Sequence, residues 1–97
     1  MRDAYVYMMC SYKNGTIYVG VTNDLAARVH EHKTGYNPDS FTAEHQVKRL
    51  VWYEHFDSMI DAIAREKRIK KWYRQWKIDL IEKTNPNWTE LTLEFDY

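Results

Sequence analysis

Residues 4–32 read AYVYMMCSYKNGTIYVGVTNDLAARVHEH, and this stretch decides the fold. Tyr5 and Tyr7 alternate with Val6, and Tyr18 alternates with Val19; side chains two apart on a strand share a face. Asn14-Gly15 between the two runs predicts a tight hairpin, because both residues accept the positive φ that a two-residue turn demands. Strands are therefore expected over residues 4–10 and 16–21, with Tyr7 brought near Tyr18. Past Gly20, any of Thr22, Asn23 and Asp24 can cap a helix from about Asp24 to Lys33. That helix buries Leu25 and Val29 against the hairpin and carries Arg28 and His32, four apart, on one face. Two phenols, a guanidinium and an imidazole converge, which points to a site.

Further along, Thr34 to Ser40 is dense in turn formers and predicts an exposed loop. Its aromatic Tyr36 and the adjacent Phe41 either touch a ligand or pack on the body. Val47 to Phe56 is rich in Val, Trp, Tyr and Phe and predicts a third, largely buried strand. Ser58 or Asp57 caps a long helix beginning near Met59. Its apolar residues, Met59, Ile60, Ile63, Ile69, Trp72, Tyr73, Trp76 and Leu80, recur at helical spacing. The pattern is compatible both with an unbroken helix to Ile81 and with a bend near Lys71. Asn85-Pro86-Asn87 ends it, since proline disfavours helix in the residue before it. Trp88 to Phe95 predicts a short closing helix. The elements add up to an α/β (α+β) fold in which a small antiparallel sheet is flanked by helices.

With 97 residues the chain has room for one domain, residues 1–97, and one modest core. An apolar content of 44% with 15% aromatics excludes a disordered chain. No apolar run approaches the roughly 20 residues of a membrane span, and no signal-peptide pattern opens the sequence. Cys10 is the single cysteine, so no internal disulfide can form, and it reads as a small core residue. A reducing cytoplasm is the expected location. The net charge of zero does not by itself favour a nucleic-acid partner. Its distribution says more: Arg65 to Lys77 holds seven basic residues against Glu66 alone, and Ile78 to Tyr97 holds five acids against Lys83. That basic segment is either a phosphate-binding face or a solvated helix face balanced by nearby acids.

Tyr5-Val6-Tyr7, then Tyr18-Val19-Gly20, then a helix bearing Arg28 and His32, resembles the GIY-YIG nuclease superfamily. The resemblance continues through Lys48-Arg49-Leu50-Val51-Trp52-Tyr53-Glu54 and through Ala64 to Trp72, and closes with Asn85-Pro86-Asn87-Trp88. It covers nearly the whole chain and is similar to the small, single-domain bacterial members related to the N-terminal nuclease domain of the excision-repair endonuclease. The fold it implies is a three-stranded antiparallel sheet with helices on its sides.

Glu66 lies three residues after Ile63, three before Ile69 and seven before Tyr73, inside the apolar stripe of its helix. A carboxylate there is costly to bury unless it is paired or bound to a metal. On residue types alone an ion pair with Arg65, Lys67 or Lys70 suffices. The resemblance implies the other reading, in which Glu66 alone holds a divalent ion, Mg²⁺ or Mn²⁺. Such hard cations take oxygen ligands and commonly keep several waters beside one or two carboxylates.

The same resemblance implies roles for the rest. Tyr7 handles the proton of the attacking water and Tyr18 positions it. Arg28 neutralises charge on the phosphate, where bidentate geometry favours arginine over lysine. A phenol with an unperturbed pKa of about 10 needs a nearby cation such as Arg28 to act as a base. His32 either relays the proton or packs as a half-exposed helix residue. Asn85 is the candidate for the family's late active-site asparagine, or else a structural cap. The first motif departs from the family by placing a bulky phenol, Tyr5, where glycine is allowed. Lys67, Lys70, Lys71 and Arg74 are the residues expected to track a phosphate backbone with little base specificity, whereas Trp72 and Trp76 are expected in the core. The expected function is metal-dependent hydrolysis of phosphodiester bonds in DNA, with repair and branched substrates within its range. The alternative is a nucleic-acid-binding or assembly module that keeps the fold without turnover. Intact Tyr7, Tyr18, Arg28 and Glu66 favour the enzyme; a buried, ion-paired Glu66 with no open cavity favours the module.

Overall fold

The central strand is β1 (Ala4–Cys10), flanked by β2 (Ile17–Thr22) and β3 (Arg49–Phe56) in the order β2-β1-β3, antiparallel throughout. The helices are α1 (Leu25–Thr34), α2 (Met59–Lys70) and α3 (Arg74–Thr84). The computed structural model describes residues 3–34 and 45–93. Thr34, the first residue of the predicted loop, instead ends α1; the rest of the loop, Gly35 to Ser40 with Tyr36, and Phe41 beyond it, lie outside the described residues.

Alternation along β1 divides the core in two. Val6, Met8 and Cys10 pack with Val19, with Ala62 and Ile69 of α2, with Ile81 of α3, and with Trp88. Tyr7 and Met9 pack with Leu25 and Val29 of α1 and with Val47 and Leu50, while Tyr5 and Tyr18 lie against the same cluster. A register shift between Met8 and Met9 offsets β3 by one residue. The two tyrosine motifs therefore share the α1 face, and Ala62 and Ile69 of α2 pack in the other cluster.

The hairpin forms with a longer connection than the predicted two-residue turn. A turn spans Tyr12 to Gly15, closed by Gly15 N–H to Tyr12 O at 2.8 Å, and Ser11 N–H reaches Thr16 O at 3.1 Å. Asn14 alone takes the left-handed conformation, with φ 62°. Gly15 is needed for space instead, since a Cβ there would stand 2.4 Å from Ser11 Oγ. Asp24 is the cap of α1, its Oδ1 accepting from Ala27 N–H at 3.2 Å, and Thr22 Oγ1 in turn accepts from Asp24 N–H at 3.0 Å. Ser58 caps α2.

The long helix breaks. Lys71 ends α2, Tyr73 is extended at φ −60°, ψ 150°, and α3 starts at Arg74. Beside the break, Tyr73 and Trp76 of the expected apolar stripe face water, and so does Ile60 in the first turn of α2. The predicted closing helix is not formed over Trp88–Leu93. Its backbone groups are taken by other partners: Thr89 N–H by the Asn85 side chain, Trp88 O by Arg49, and Leu91 N–H by Leu50 O. Among the described residues no helix is long and apolar enough to cross a membrane.

Candidate active site

The α1 face is built around Tyr7, which pairs with Gly20 on β2 and Tyr53 on β3 and is 1% exposed. Its phenol lies across Gly20: a Cβ there would sit 2.5 Å from both Tyr7 Cζ and Oη. A Cβ so placed would overlap the ring, so glycine at this position is what lets the ring lie down and aim its hydroxyl at α1. There Tyr7 Oη meets His32 Nε2 at 3.1 Å. Tyr18 completes the cluster, its ring 6.1 Å from Tyr7 and 5.2 Å from His32. Helical spacing puts Arg28 one turn before His32; its guanidinium is half exposed and pairs with Glu31 at 3.6 Å.

Burial pushes the Tyr7 hydroxyl well above the ordinary phenol range, and Tyr18 adds to the shift while Arg28 opposes it. Burial, with Arg28 in support and Glu31 opposed, holds His32 below the usual histidine value. Arg28 therefore influences both groups but does not make Tyr7 a ready phenolate; desolvation outweighs it. The direction of this bond follows the imidazole tautomer: with the proton on Nδ1, Nε2 accepts and Tyr7 donates. The pair can pass a proton without a free phenolate ever forming. Tyr5, the phenol that departs from the first motif, lies against Tyr53 and His55 at ring distances of 6.2 and 5.2 Å.

Glu66 sits in the buried stripe of α2 with Ala62 and Ile69, at 8% exposure. Its carboxylate pairs with Lys70 one turn on, at 2.5 Å, and the lysine is half exposed. Among the described residues no hydrogen bond or ion pair joins Glu66 to Tyr7, Tyr18, Arg28 or His32, and no group of three His, Cys, Asp or Glu side chains converges. A hard divalent ion suits a lone carboxylate when water and substrate oxygens fill the other positions. Glu66 is the buried member of this pair and Lys70 the half-exposed one, so a metal ion that replaced the lysine would take over the neutralisation of a buried carboxylate.

Asn85 behaves as the structural reading requires. Its Nδ2 donates to Val51 O at 3.1 Å and Thr89 O at 2.8 Å, and its Oδ1 accepts from Thr89 N–H at 3.0 Å. The amide is fully engaged in tying the chain after α3 to β3. Lys67, Lys70 and Lys71 are exposed. Arg74 braces the hairpin, donating to Asn14 O at 2.7 Å and Gly15 O at 2.6 Å. Lys77 extends the basic run and was not among the expected contacts, although its place in that run was the available signal. His30 faces away from the tyrosines, lining a groove of about 380 Å³ between α1 and Glu90–Leu93, where Lys33 pairs with Glu90.

Residues 3–79 match the family described as the GIY-YIG catalytic domain. A UPF0213 protein of Syntrophus aciditrophicus (strain SB) is 38% identical over 87 residues, covering 89% of this chain and 97% of its own. A UPF0213 protein of Staphylococcus saprophyticus is 33% identical over 81 residues, covering 84% and 96%. The solution NMR structure of the UPF0213 protein BH0048 from Bacillus halodurans superposes with a TM-score of 0.57 at 27% identity, covering 97% of this chain and 99% of that one.

Proposed function

The chain belongs to the GIY-YIG catalytic domain family, and from that premise we propose that it is a divalent-metal-dependent endonuclease cutting phosphodiester bonds in DNA, branched or damaged substrates included. The observation that carries the reading is the Tyr7–His32 hydrogen bond at 3.1 Å, with Tyr7 laid over Gly20 and Tyr18 against both. A buried hydroxyl needs a hydrogen-bond partner in any case; what favours catalysis is that this partner is a titratable imidazole, with Tyr18 against both rings.

In this mechanism Tyr7 takes the proton of the attacking water while passing its own to His32 Nε2. Tyr18 holds the phenol in place. Arg28 binds the non-bridging phosphate oxygens, exchanging the solvated Glu31 contact for a charge-assisted pair with the substrate. Glu66 would hold Mg²⁺ or Mn²⁺, which supplies charge stabilisation at the phosphate and at the departing oxygen. Lys67, Lys70, Lys71 and Arg74 line the strand's approach and bind phosphates without reading bases.

The second reading, a binding module without turnover, has one observation in its favour: Glu66 is buried and paired with Lys70. Cleavage of supercoiled plasmid and branched oligonucleotides with Mg²⁺ and Mn²⁺ separates the two. Wild type should cut, and Glu66→Gln, Tyr7→Phe and chelation should each abolish cutting. A wild type that binds in a salt-dependent way and never cuts selects the module.

A further inference from the structure

The break between α2 and α3 leaves two large aromatic side chains in water. Tyr73 is 74% exposed and Trp76 is 51% exposed, and their rings meet edge to face at 5.3 Å and 85°. Trp72, half buried, braces Trp76 from the core side at 6.2 Å and is itself covered by the Arg65 guanidinium at 5.5 Å. Single exposed apolar residues are ordinary on a protein surface, but two in contact, held at fixed angles by a third, form a prepared platform.

Basic side chains outnumber acidic ones around that platform, where Glu66 pairs with Lys70 and Asp79 accepts from Gln75. Lys77 lies one residue past Trp76; burial, with Arg74 and Lys70 adding to it, pushes its ammonium below the usual lysine range. Among the described residues no carboxylate comes within ion-pair distance of Lys77. Arg74 is fixed in place by two hairpin carbonyls, and Lys70 by Glu66. Three cations held together repel one another, and an anion laid over them relieves the repulsion. Aromatic faces interleaved with cations match the chemistry of an unpaired nucleotide: a base with a π-face and a phosphate on either side. An acidic protein surface would satisfy the cations but offers no flat group for the rings.

We propose that this corner is a second nucleic-acid contact, in which an unpaired base stacks on Trp76 and Tyr73 while its flanking phosphates lie on Lys70, Arg74 and Lys77. The proposal rests on nucleic acid being the ligand, as the proposed function holds, and not on turnover. The corner adjoins the hairpin tip through Arg74, so a strand anchored there can continue over the end of β2 towards Tyr18.

The test measures anisotropy of labelled single-stranded and duplex oligonucleotides in chelator, with tryptophan emission recorded alongside. Trp52 and Trp88 are buried, so quenching by a stacked base reports on this corner. Single strands should quench emission, and Trp76→Ala should weaken their binding by about 5- to 150-fold, the range of one lost base stack. Duplex binding should change by less than about twofold, because a paired base offers no free face. Lys77→Gln should lower the salt slope for single strands by about 0.7. Both side chains sit at the surface, and unchanged melting of each variant verifies that the fold is intact. Single-strand binding by Trp76→Ala at the wild-type level overturns the proposal, as does wild-type binding without quenching. So does a change in sedimentation of the free variant in place of its DNA affinity, which would mark an interface between copies. Wild type that stacks and never cuts leaves this proposal standing and removes the nuclease; cutting with no effect of Trp76→Ala does the reverse.

Discussion

Gly20→Ala tests the geometry on which the site depends. A methyl carbon would be placed 2.5 Å from Tyr7 Cζ and Oη and 2.8 Å from Cε1. Carbon atoms rest at about 3.5–4.0 Å, so the overlap is about 1 Å. A surface side chain would swing aside, but Tyr7 is 1% exposed and closely packed against Leu25, Val29 and Met9. Overpacking of this kind costs about 1–3 kcal/mol. For a domain of this size each kcal/mol lowers Tm by about 4–8 °C, so a fall of about 5–20 °C is expected. If the ring yields, its hydroxyl moves away from His32, and a misplacement of about 1 Å can cost 100-fold in rate. The assay is thermal melting together with single-turnover cleavage by the folded protein. A double-mutant cycle isolates the cause: in a Tyr7→Ala background Gly20→Ala should cost almost nothing, because the ring it strikes is absent. Wild-type Tm and wild-type cutting in Gly20→Ala would refute the packing, and equal costs in both backgrounds would show that the ring is not what the methyl meets.

Asn85→Ala removes three hydrogen bonds, one buried and two part-buried, and should destabilise by about 1–3 kcal/mol, with cutting per folded molecule unchanged; lost cutting at unaltered Tm would make Asn85 an active-site residue after all. His32 is held below its ordinary value of 6.5 by burial, so the unfolded chain binds the proton more readily, and stability should fall as pH drops below that value. Tyr7 is raised above its ordinary value of 10.0, so stability should fall again as pH rises past it. Urea midpoints across pH should show both limbs, the acid one flattened in His32→Gln and the alkaline one in Tyr7→Phe. Lys70→Ala leaves the buried Glu66 carboxylate without this partner, so it should cost more than about 0.3–0.5 kcal/mol, the value of a solvated pair, and should tighten Mn²⁺ binding measured by the EPR signal of the free ion; unaltered affinity would remove Glu66 as the ligand.

What the sequence made legible was what periodicity controls. Alternation in Tyr5-Val6-Tyr7 and Tyr18-Val19 placed both tyrosines on one face, and the four-residue step from Arg28 to His32 put them beside those tyrosines. Glu66 in an apolar stripe announced its own burial. The turn and the closing segment were not legible, and the break near Lys71 stood as one of two readings, because each is decided by contacts distant in sequence. Asn14 and Gly15 are held by Arg74, sixty and fifty-nine residues away. Trp88 is held out of a helix by Arg49 and the Asn85 amide. The apolar run through Trp76 read as core because hydrophobic spacing does not register a break at Lys71–Tyr73, and a residue's exposure follows from the neighbour it lacks.

The burial of Tyr7 has the largest consequence for how such a site works. The sequence suggested Arg28 as the cation that makes a phenolate, yet the strand pairing that fixes Tyr7 over Gly20 also removes it from water. Desolvation penalises the charged form, so the feature that gives the tyrosine its position denies it a stable anionic state. A nuclease on this framework must therefore move the proton through the tyrosine without leaving charge on it. That requires an acceptor in contact with Oη that is itself neutral at working pH. His32 meets both conditions, because the same burial that raises Tyr7 lowers the imidazole. The two opposed shifts are the outcome of one packed face: a weaker acid beside a weaker base keeps the resting pair neutral. Net transfer from water through Tyr7 to His32 therefore has to be driven by the charge that builds up on the substrate phosphate.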